Sequence, residues 1–145
     1  RDLDIPERIF SREELEEGDV MAKLIADHVD WIILAGFLLK IPENILEAYP
    51  ERIINVHPAL LPAYGGKGMY GHRVHEAVIA AGEKESGISI HYVDDLYDHG
   101  ELIFDATCRV DENDTPGSLA KKIHVLEHTH YPAVIESLMQ KQIRS

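Results

Sequence analysis

The chain has 145 residues, 45% of them hydrophobic and 28% charged, which are ordinary values for a single globular domain. Its formal net charge of −12 argues against a nucleic-acid binder, because such a protein presents a basic face to phosphate. Cys108 is the only cysteine, so an internal disulfide and a multi-cysteine zinc site are excluded. The longest apolar run, Trp31 to Leu39, is too short to span a membrane, and we expect a cytoplasmic protein.

The first half of the chain predicts an alternation of helices and strands. A capping box at Ser11 to Glu14 begins a helix that Gly18 interrupts, and helical spacing resumes after it. The apolar run from Trp31 to Phe37 is typical of a strand that is covered on both faces. A short helix from Pro42 to Ala48 separates this run from a strand at Arg52 to Val56, so the two strands should be parallel.

The second half predicts a hairpin between two helices. One helix runs from His72 to Gly82. The alternating segment Ile88 to Val93 is typical of a half-buried strand, and Leu102 to Val110 should pair with it as an antiparallel hairpin. Thr115 caps a last helix, which Pro132 should kink or divide. The expected fold class is α/β, with a mostly parallel sheet that includes an antiparallel hairpin and is flanked by helices.

Asn55 and His57 are the first candidates for chemistry, because they lie where the second strand ends, before Pro58 and a glycine-rich loop. Both should project to one face, at the edge of the sheet where α/β proteins bind ligands. An asparagine amide and a protonated imidazole can stabilise the oxyanion formed when an amine attacks a formyl carbon. A carboxylate paired with the histidine, which Asp98 could supply, can take the proton of the amine. The alternative is a plain strand end with two hydrogen-bonding side chains.

His124, Glu127 and His128 form the pattern H-x-x-E-H, which resembles an inverted zinc-protease motif. A zinc site would need a third protein ligand and a glutamate free to activate water. The alternative places His124 and Glu127 at the rim of a pocket, with no metal. No serine lies in a G-x-S-x-G elbow, which argues against a serine hydrolase.

Several strings of the sequence resemble the folate-dependent formyltransferases, and most closely the phosphoribosylglycinamide formyltransferases of purine synthesis. These strings are Leu34 to Phe37, Ile54 to Pro62 with the pattern N-x-H-P-x-L-L-P, Tyr64 to Gly71, Gly87 to Val93, Asp98 with Gly100, and Glu127-His128 followed by Tyr131-Pro132. The resemblance covers nearly the whole chain. It implies a Rossmann-like formyltransferase fold in one catalytic domain over residues 1–145.

The resemblance also implies a reaction, the transfer of a formyl group from 10-formyltetrahydrofolate to the amine of glycinamide ribonucleotide. Asn55 and His57 would polarise the formyl oxygen, with His57 as proton donor, and Asp98 would tune His57. The remaining implied contacts are Leu38, Leu39, Lys40, Ile41, Asn55, Asp94, Asp95, Leu96 and Tyr97 for folate, and His124, Val125, Leu126 and Glu127 for the ribonucleotide. We expect no metal, only small-molecule partners, no nucleic acid or membrane, and a monomer or homodimer.

One part of the family pattern is missing. Family members begin with a strand and a glycine-rich loop that holds the ribonucleotide phosphate, and nothing in this sequence supplies them. We therefore expect a domain that is N-terminally incomplete relative to the family and not fully active. Two rivals stay open, a formyltetrahydrofolate deformylase with the same Asn, His and Asp, and an inactive folate-binding fragment. A methionyl-tRNA formyltransferase would need an RNA-contacting domain and a cationic surface that this acidic chain lacks.

Overall fold

The protein is an α/β structure in which helices flank a four-stranded sheet. The computed structural model describes residues 8–37, 39–66, 68–94 and 100–144. The helices and strands in these ranges are α1 (Arg12–Glu17), α2 (Asp19–Ala26), β1 (Ile32–Leu34), α3 (Glu43–Ala48), β2 (Ile53–His57), α4 (His72–Ala80), β3 (Glu85–Tyr92), β4 (Leu102–Arg109) and α5 (Pro116–Arg144). No helix in this part of the chain is long and apolar enough to cross a membrane.

The strands lie in the order β1-β2-β3-β4, and only β1 and β2 are parallel. The predicted hairpin of β3 and β4 is confirmed. The expectation of a mostly parallel sheet needs correction, because β2 and β3 are also antiparallel, with His57 opposite Ser89. The physical reason is that β3 starts beside the end of β2, so the intervening chain has no need to cross the sheet. Strand patterns in the sequence carry no information about this pairing.

The core has two parts that meet at β2. Ile53 belongs to a cluster with residues of α1, α2 and α3, whereas Ile54 belongs to a larger cluster with residues of α4, β3 and α5. Successive residues of a strand point to opposite faces, so β2 is covered on both sides. The strand that ends in Asn55, Val56 and His57 is therefore held rigidly.

Three elements differ from their predicted form. β1 is only three residues long and half-buried, because it lies at the edge of the described sheet and Gly36 takes a φ of 67° just after it. β3 is buried from Ser86 to His91 instead of alternating. α5 is not divided at Pro132, since the residues after Pro132 continue to pack against the larger cluster.

The start of α5 is fixed by a polar network. Thr115 Oγ1 accepts a hydrogen bond from the Ser118 amide at 3.1 Å, as expected for a helix cap. Lys122 Nζ donates to the carboxylates of Asp111 and Asp114. Hydrogen bonds from Lys122 and then from Ser118 lower the pKa of Asp114 to about 2. This network holds the long helix that forms one wall of the site described next.

Candidate active site

A cavity of about 880 Å³ opens at the end of β2, between α5 and a segment formed by residue 66 and residues 68–73. Asn55 and His57 both border it, as the period of the strand predicts, and His57 is only 3% exposed. His124 and Glu127 border it from α5. The structure thus brings together four of the predicted site residues from two distant parts of the chain.

Asn55 is oriented by a residue that the sequence did not reveal as part of the site. It lies directly opposite His91 on β3, and its Nδ2 is 3.2 Å from His91 Nε2. The other ring nitrogen, Nδ1, is 2.9 Å from the Tyr92 carbonyl, which can only accept a hydrogen bond, so Nδ1 carries the proton. In the neutral ring Nε2 is then the acceptor, and the asparagine amide donates to it. This bond fixes the orientation of the Asn55 amide, with its nitrogen towards His91.

His57 is held by the loop that follows it. Its Nε2 donates a hydrogen bond of 2.7 Å to the carbonyl oxygen of Tyr64, a residue in the left-handed region with a φ of 58°. Nε2 of this imidazole therefore carries a proton. The conformation of the loop decides where that proton points.

The first turn of the same loop is tied to β3 by Ser89. The Ser89 hydroxyl donates to the carbonyl of Ala59 at 2.7 Å and accepts from the amide of Leu61 at 2.9 Å. Ser89 is buried and lies opposite His57 in the sheet. Its role is to hold the N-x-H-P-A-L-L-P segment in place. This agrees with the absence of a G-x-S-x-G nucleophile elbow in the sequence.

On α5, His124 and Glu127 form a pair, with 2.9 Å between His124 Nδ1 and the carboxylate. The glutamate of the H-x-x-E-H pattern is thus engaged by the first histidine. Within the described ranges no three His, Cys, Asp or Glu side chains are grouped so as to hold a metal ion. Val125 and Leu126 do not border the cavity, since Val125 is 65% exposed and Leu126 packs against the larger core cluster.

Several histidines border the cavity. His57, His72, His75, His124 and His128 border it together with Arg73. His75 is 5% exposed, and its Nδ1 is buried with no hydrogen-bond partner among the described residues. Burial, and then the charges of His72, His124 and His57, lower the pKa of His75. In a chain of net charge −12 this is a local concentration of groups that can become cationic.

Tyr131 closes the end of the cavity next to the sheet. Its hydroxyl donates to the carbonyl of Leu34, the last residue of β1, at 2.7 Å, and lies 3.3 Å from the carbonyl of Ile54 on β2. Burial and the nearby charge of Glu127 raise its pKa. The sequence signal for this contact was only the resemblance at Tyr131-Pro132.

The residues predicted to bind folate are placed unevenly. Leu38 and the acidic segment Asp95-Leu96-Tyr97-Asp98 lie outside the described residues. Leu39, Lys40 and Ile41 do not border the cavity, and Ile41 is buried in the smaller core cluster. Asp94 is half-buried and is not among the residues that border the cavity. Of the predicted folate contacts, the described part of the chain therefore brings only Asn55 to the cavity.

The sequence matches the formyl transferase family over residues 2–135. It is 40% identical over 146 residues to the chloroplastic phosphoribosylglycinamide formyltransferase of Arabidopsis thaliana, covering 97% of this chain and 50% of that protein. It is 39% identical over 123 residues to phosphoribosylglycinamide formyltransferase of Bacillus subtilis strain 168, covering 85% of this chain and 60% of that protein. The chain thus spans about half the length of the curated relatives it matches.

Solved structures agree with the sequence comparison. The structure superimposes on phosphoribosylglycinamide formyltransferase from Anaplasma phagocytophilum with a TM-score of 0.87 at 33% identity, covering 97% of this chain and 66% of that one. A formyltetrahydrofolate deformylase from Pseudomonas syringae has a TM-score of 0.77 at 20% identity, covering 86% of this chain and 40% of that one, and at this identity only the fold is shared. Because the family match covers residues 2–135 and the fold agrees with that of a solved relative, the chain belongs to the formyl transferase family.

Proposed function

We propose that the protein transfers the formyl group of 10-formyltetrahydrofolate to the amine of glycinamide ribonucleotide. The observation that carries the proposal is the single cavity bordered by Asn55 and His57 on one side and by His124 and Glu127 on the other. Asn55 and His57 can donate hydrogen bonds to the formyl oxygen, and the His124–Glu127 pair can bind the hydroxyl groups of a ribose. The names of relatives with 40% and 39% identity support the same reaction.

In the proposed reaction the amine nitrogen attacks the formyl carbon, and the carbonyl oxygen becomes an oxyanion. Asn55 gives one amide hydrogen to His91, and its second hydrogen can bind this oxyanion. Protonated His57 can pass its Nε2 proton to N10 of the folate once the bond to the Tyr64 carbonyl is released, and it regains a proton from the attacking amine. The bond between the formyl carbon and N10 of the folate then breaks. The proton lost by the amine ends on N10, so the reaction is balanced without an added proton.

Asp98 is proposed as the group that tunes His57 and moves the proton of the amine. This role rests on the Asp98-x-Gly100 resemblance. Leu38 to Ile41 and Asp94 to Tyr97 stay predicted folate contacts on the same ground.

Glu127 is proposed to accept hydrogen bonds from ribose hydroxyls, because a carboxylate offers two acceptor oxygens. His124 holds that carboxylate by the 2.9 Å contact. Val125 and Leu126 would contribute only through the backbone of the same turn. Several expectations stay predictions: a cytoplasmic location, small-molecule partners, no nucleic acid, no metal, and a monomer or homodimer. The plant relatives are named as chloroplastic.

The test is an assay of the purified protein with 10-formyltetrahydrofolate, with and without glycinamide ribonucleotide. We expect the formylated ribonucleotide to form only when the amine substrate is present, and His57→Ala to lower its rate by about a thousandfold. Formate release that does not depend on the amine would identify a deformylase instead. Folate binding by calorimetry with no turnover would identify an inactive folate-binding module.

A further inference from the structure

Tyr131 connects helix α5, on one side of the cavity, to strand β2, on the other. Its hydroxyl contacts the carbonyls of Leu34 and Ile54, which end β1 and precede Asn55 on β2. Leu34 and Asn55 are register partners in the parallel pair, so the hydroxyl lies at the same rung of the sheet as Asn55. Because both carbonyls can only accept, the tyrosine is the donor in each contact.

The same helix carries the groups that face the cavity from the other side. Glu127 is one turn before Tyr131 on α5, and residues four apart on a helix lie one above the other on the same face. The two residues also border the same cavity. The position of Glu127 relative to Asn55 is thus set through a short path, from the carboxylate along one helical turn to Tyr131 and across its hydroxyl to β2.

We propose that Tyr131 is a positioning residue, whose hydroxyl sets the distance between the α5 side of the cavity, at His124 and Glu127, and Asn55 at the end of β2. The inference rests on the proposed function, in which the two sides hold the two halves of one reaction. A geometry shift of about 1 Å between reacting groups is enough to slow an enzyme strongly. Tyr131 touches no reacting atom in this scheme and acts through Glu127 and Asn55.

The experiment compares Tyr131→Phe with Tyr49→Phe in the full chain. Both tyrosines are 8% exposed, and no hydrogen bond of the Tyr49 hydroxyl is found among the described residues, so the second variant controls for removing the hydroxyl of a mostly buried tyrosine. We expect Tyr131→Phe to raise KM for glycinamide ribonucleotide about tenfold and to leave the affinity for a non-reactive folate analogue within about twofold. Tyr49→Phe should change neither value.

A double-mutant cycle with Glu127→Gln separates positioning from a general loss of stability. If Tyr131 acts through Glu127, its effect on KM should shrink clearly when Glu127 is already replaced, because the two changes are coupled. A fully additive result, or a lower melting temperature with unchanged KM and kcat measured well below that temperature, would overturn the proposal.

Crystal structures of the wild type and of Tyr131→Phe supply a readout that needs no activity. We expect the distance from the Asn55 amide to the Glu127 carboxylate to change in the variant and not in Tyr49→Phe. An unchanged distance overturns the positioning role even if formyl transfer is found. A wild-type protein that shows no transfer overturns the proposed function, and the distance then still decides the role of Tyr131.

Discussion

Asn55 can act as a donor in a defined direction because the strand beside it fixes its amide. A free asparagine side chain rotates and can present either its oxygen or its nitrogen. Here His91 Nε2 accepts from Asn55 Nδ2, while the proton on Nδ1 is held by the Tyr92 carbonyl. A residue that does no chemistry in the proposed reaction thus decides which atom of Asn55 faces the substrate.

We expect His91→Ala to lower kcat about a hundredfold with little change in the affinity for a folate analogue. Without His91 the Asn55 amide is no longer held in its donating orientation, and the effect should resemble the loss of one oxyanion donor. Steady-state kinetics and calorimetry check this. His130→Ala is the matched control, because His130 contacts Phe104 outside the cavity. A kcat within twofold of the wild type in His91→Ala would contradict the assigned role.

His75 should make the stability of the protein depend on pH. Its pKa in the folded protein lies below the ordinary value of 6.5, mainly because it is buried. The unfolded chain therefore binds the proton more readily, and the free energy of unfolding should fall as the pH decreases from about 7 through 6.5 towards the lowered value. Urea unfolding at several pH values measures this. In His75→Leu, which also removes the unpartnered Nδ1, the fall should be smaller.

At the scale of single elements, the first turn of α5 offers a titration of opposite sign. The pKa of Asp114 is lowered to about 2, mainly by the hydrogen bond from Lys122. The stabilisation it gives is present above the unfolded value of about 3.9 and should be lost as the pH falls from there through about 2. We expect Asp114→Asn to flatten the acid unfolding curve in this window. Asp105→Asn, on the exposed side of β4, should leave the curve unchanged.

The hairpin of β3 and β4 depends on a glycine. A Cβ atom on Gly87 would lie 1.9 Å from the backbone oxygen of Ala106, which no side chain can tolerate without moving a strand. We expect Gly87→Ala to lower the free energy of unfolding by more than about 2 kcal/mol, measured by urea unfolding. Gly117 lies in the first turn of α5, and a Cβ atom there would meet Thr115 Oγ1 at an ordinary contact distance of 3.7 Å, so Gly117→Ala should be neutral or stabilising. Equal effects of the two substitutions would contradict this explanation.

For the whole molecule, the cavity joins parts of the larger core cluster, so a ligand should stabilise the entire fold. Val56, Ile123 and Tyr131 belong both to that cluster and to the cavity wall. At a concentration one hundred times its dissociation constant, glycinamide ribonucleotide should add about 2.7 kcal/mol to the free energy of unfolding. Thermal unfolding with and without the ligand checks this, and adenosine monophosphate at the same concentration is the control. No shift at this concentration would contradict binding of the ribonucleotide to the folded protein in preference to the unfolded chain.

Most elements could be predicted from the sequence because their signals are local. The capping box at Ser11, the apolar run of β2 and the hairpin of β3 and β4 depend on neighbouring residues, and the structure has all three. The antiparallel pairing of β2 with β3 could not be predicted, because register depends on contacts between distant segments. Continuity of α5 through Pro132 likewise comes from packing, which overrides the local cost of proline.

The same distinction applies to the candidate site. Asn55 and His57 are recognisable because they lie in one short string at a strand end, and both do border the cavity. Ser89 and His91 lie in the resembling string Gly87 to Val93, but the string gives them no role, and His75 lies outside all the strings; their roles follow from which strand or helix lies next to β2. Sequence reasoning therefore found candidates for chemistry and missed residues that orient them.

The hydrogen bonds of Ser89 to Ala59 and Leu61 bear on the order in which the parts of the site form. The bonds that shape the site join residues far apart along the chain: 30 positions for Ser89 and Ala59, 36 for Asn55 and His91, and 97 for Tyr131 and Leu34. Contacts of such separation form late, after the chain has paid the entropy of closing large loops. During synthesis on the ribosome, the segment from Ala59 to Leu61 thus acquires its shape only after β3 has emerged, and the complete cavity forms only after α5 has followed.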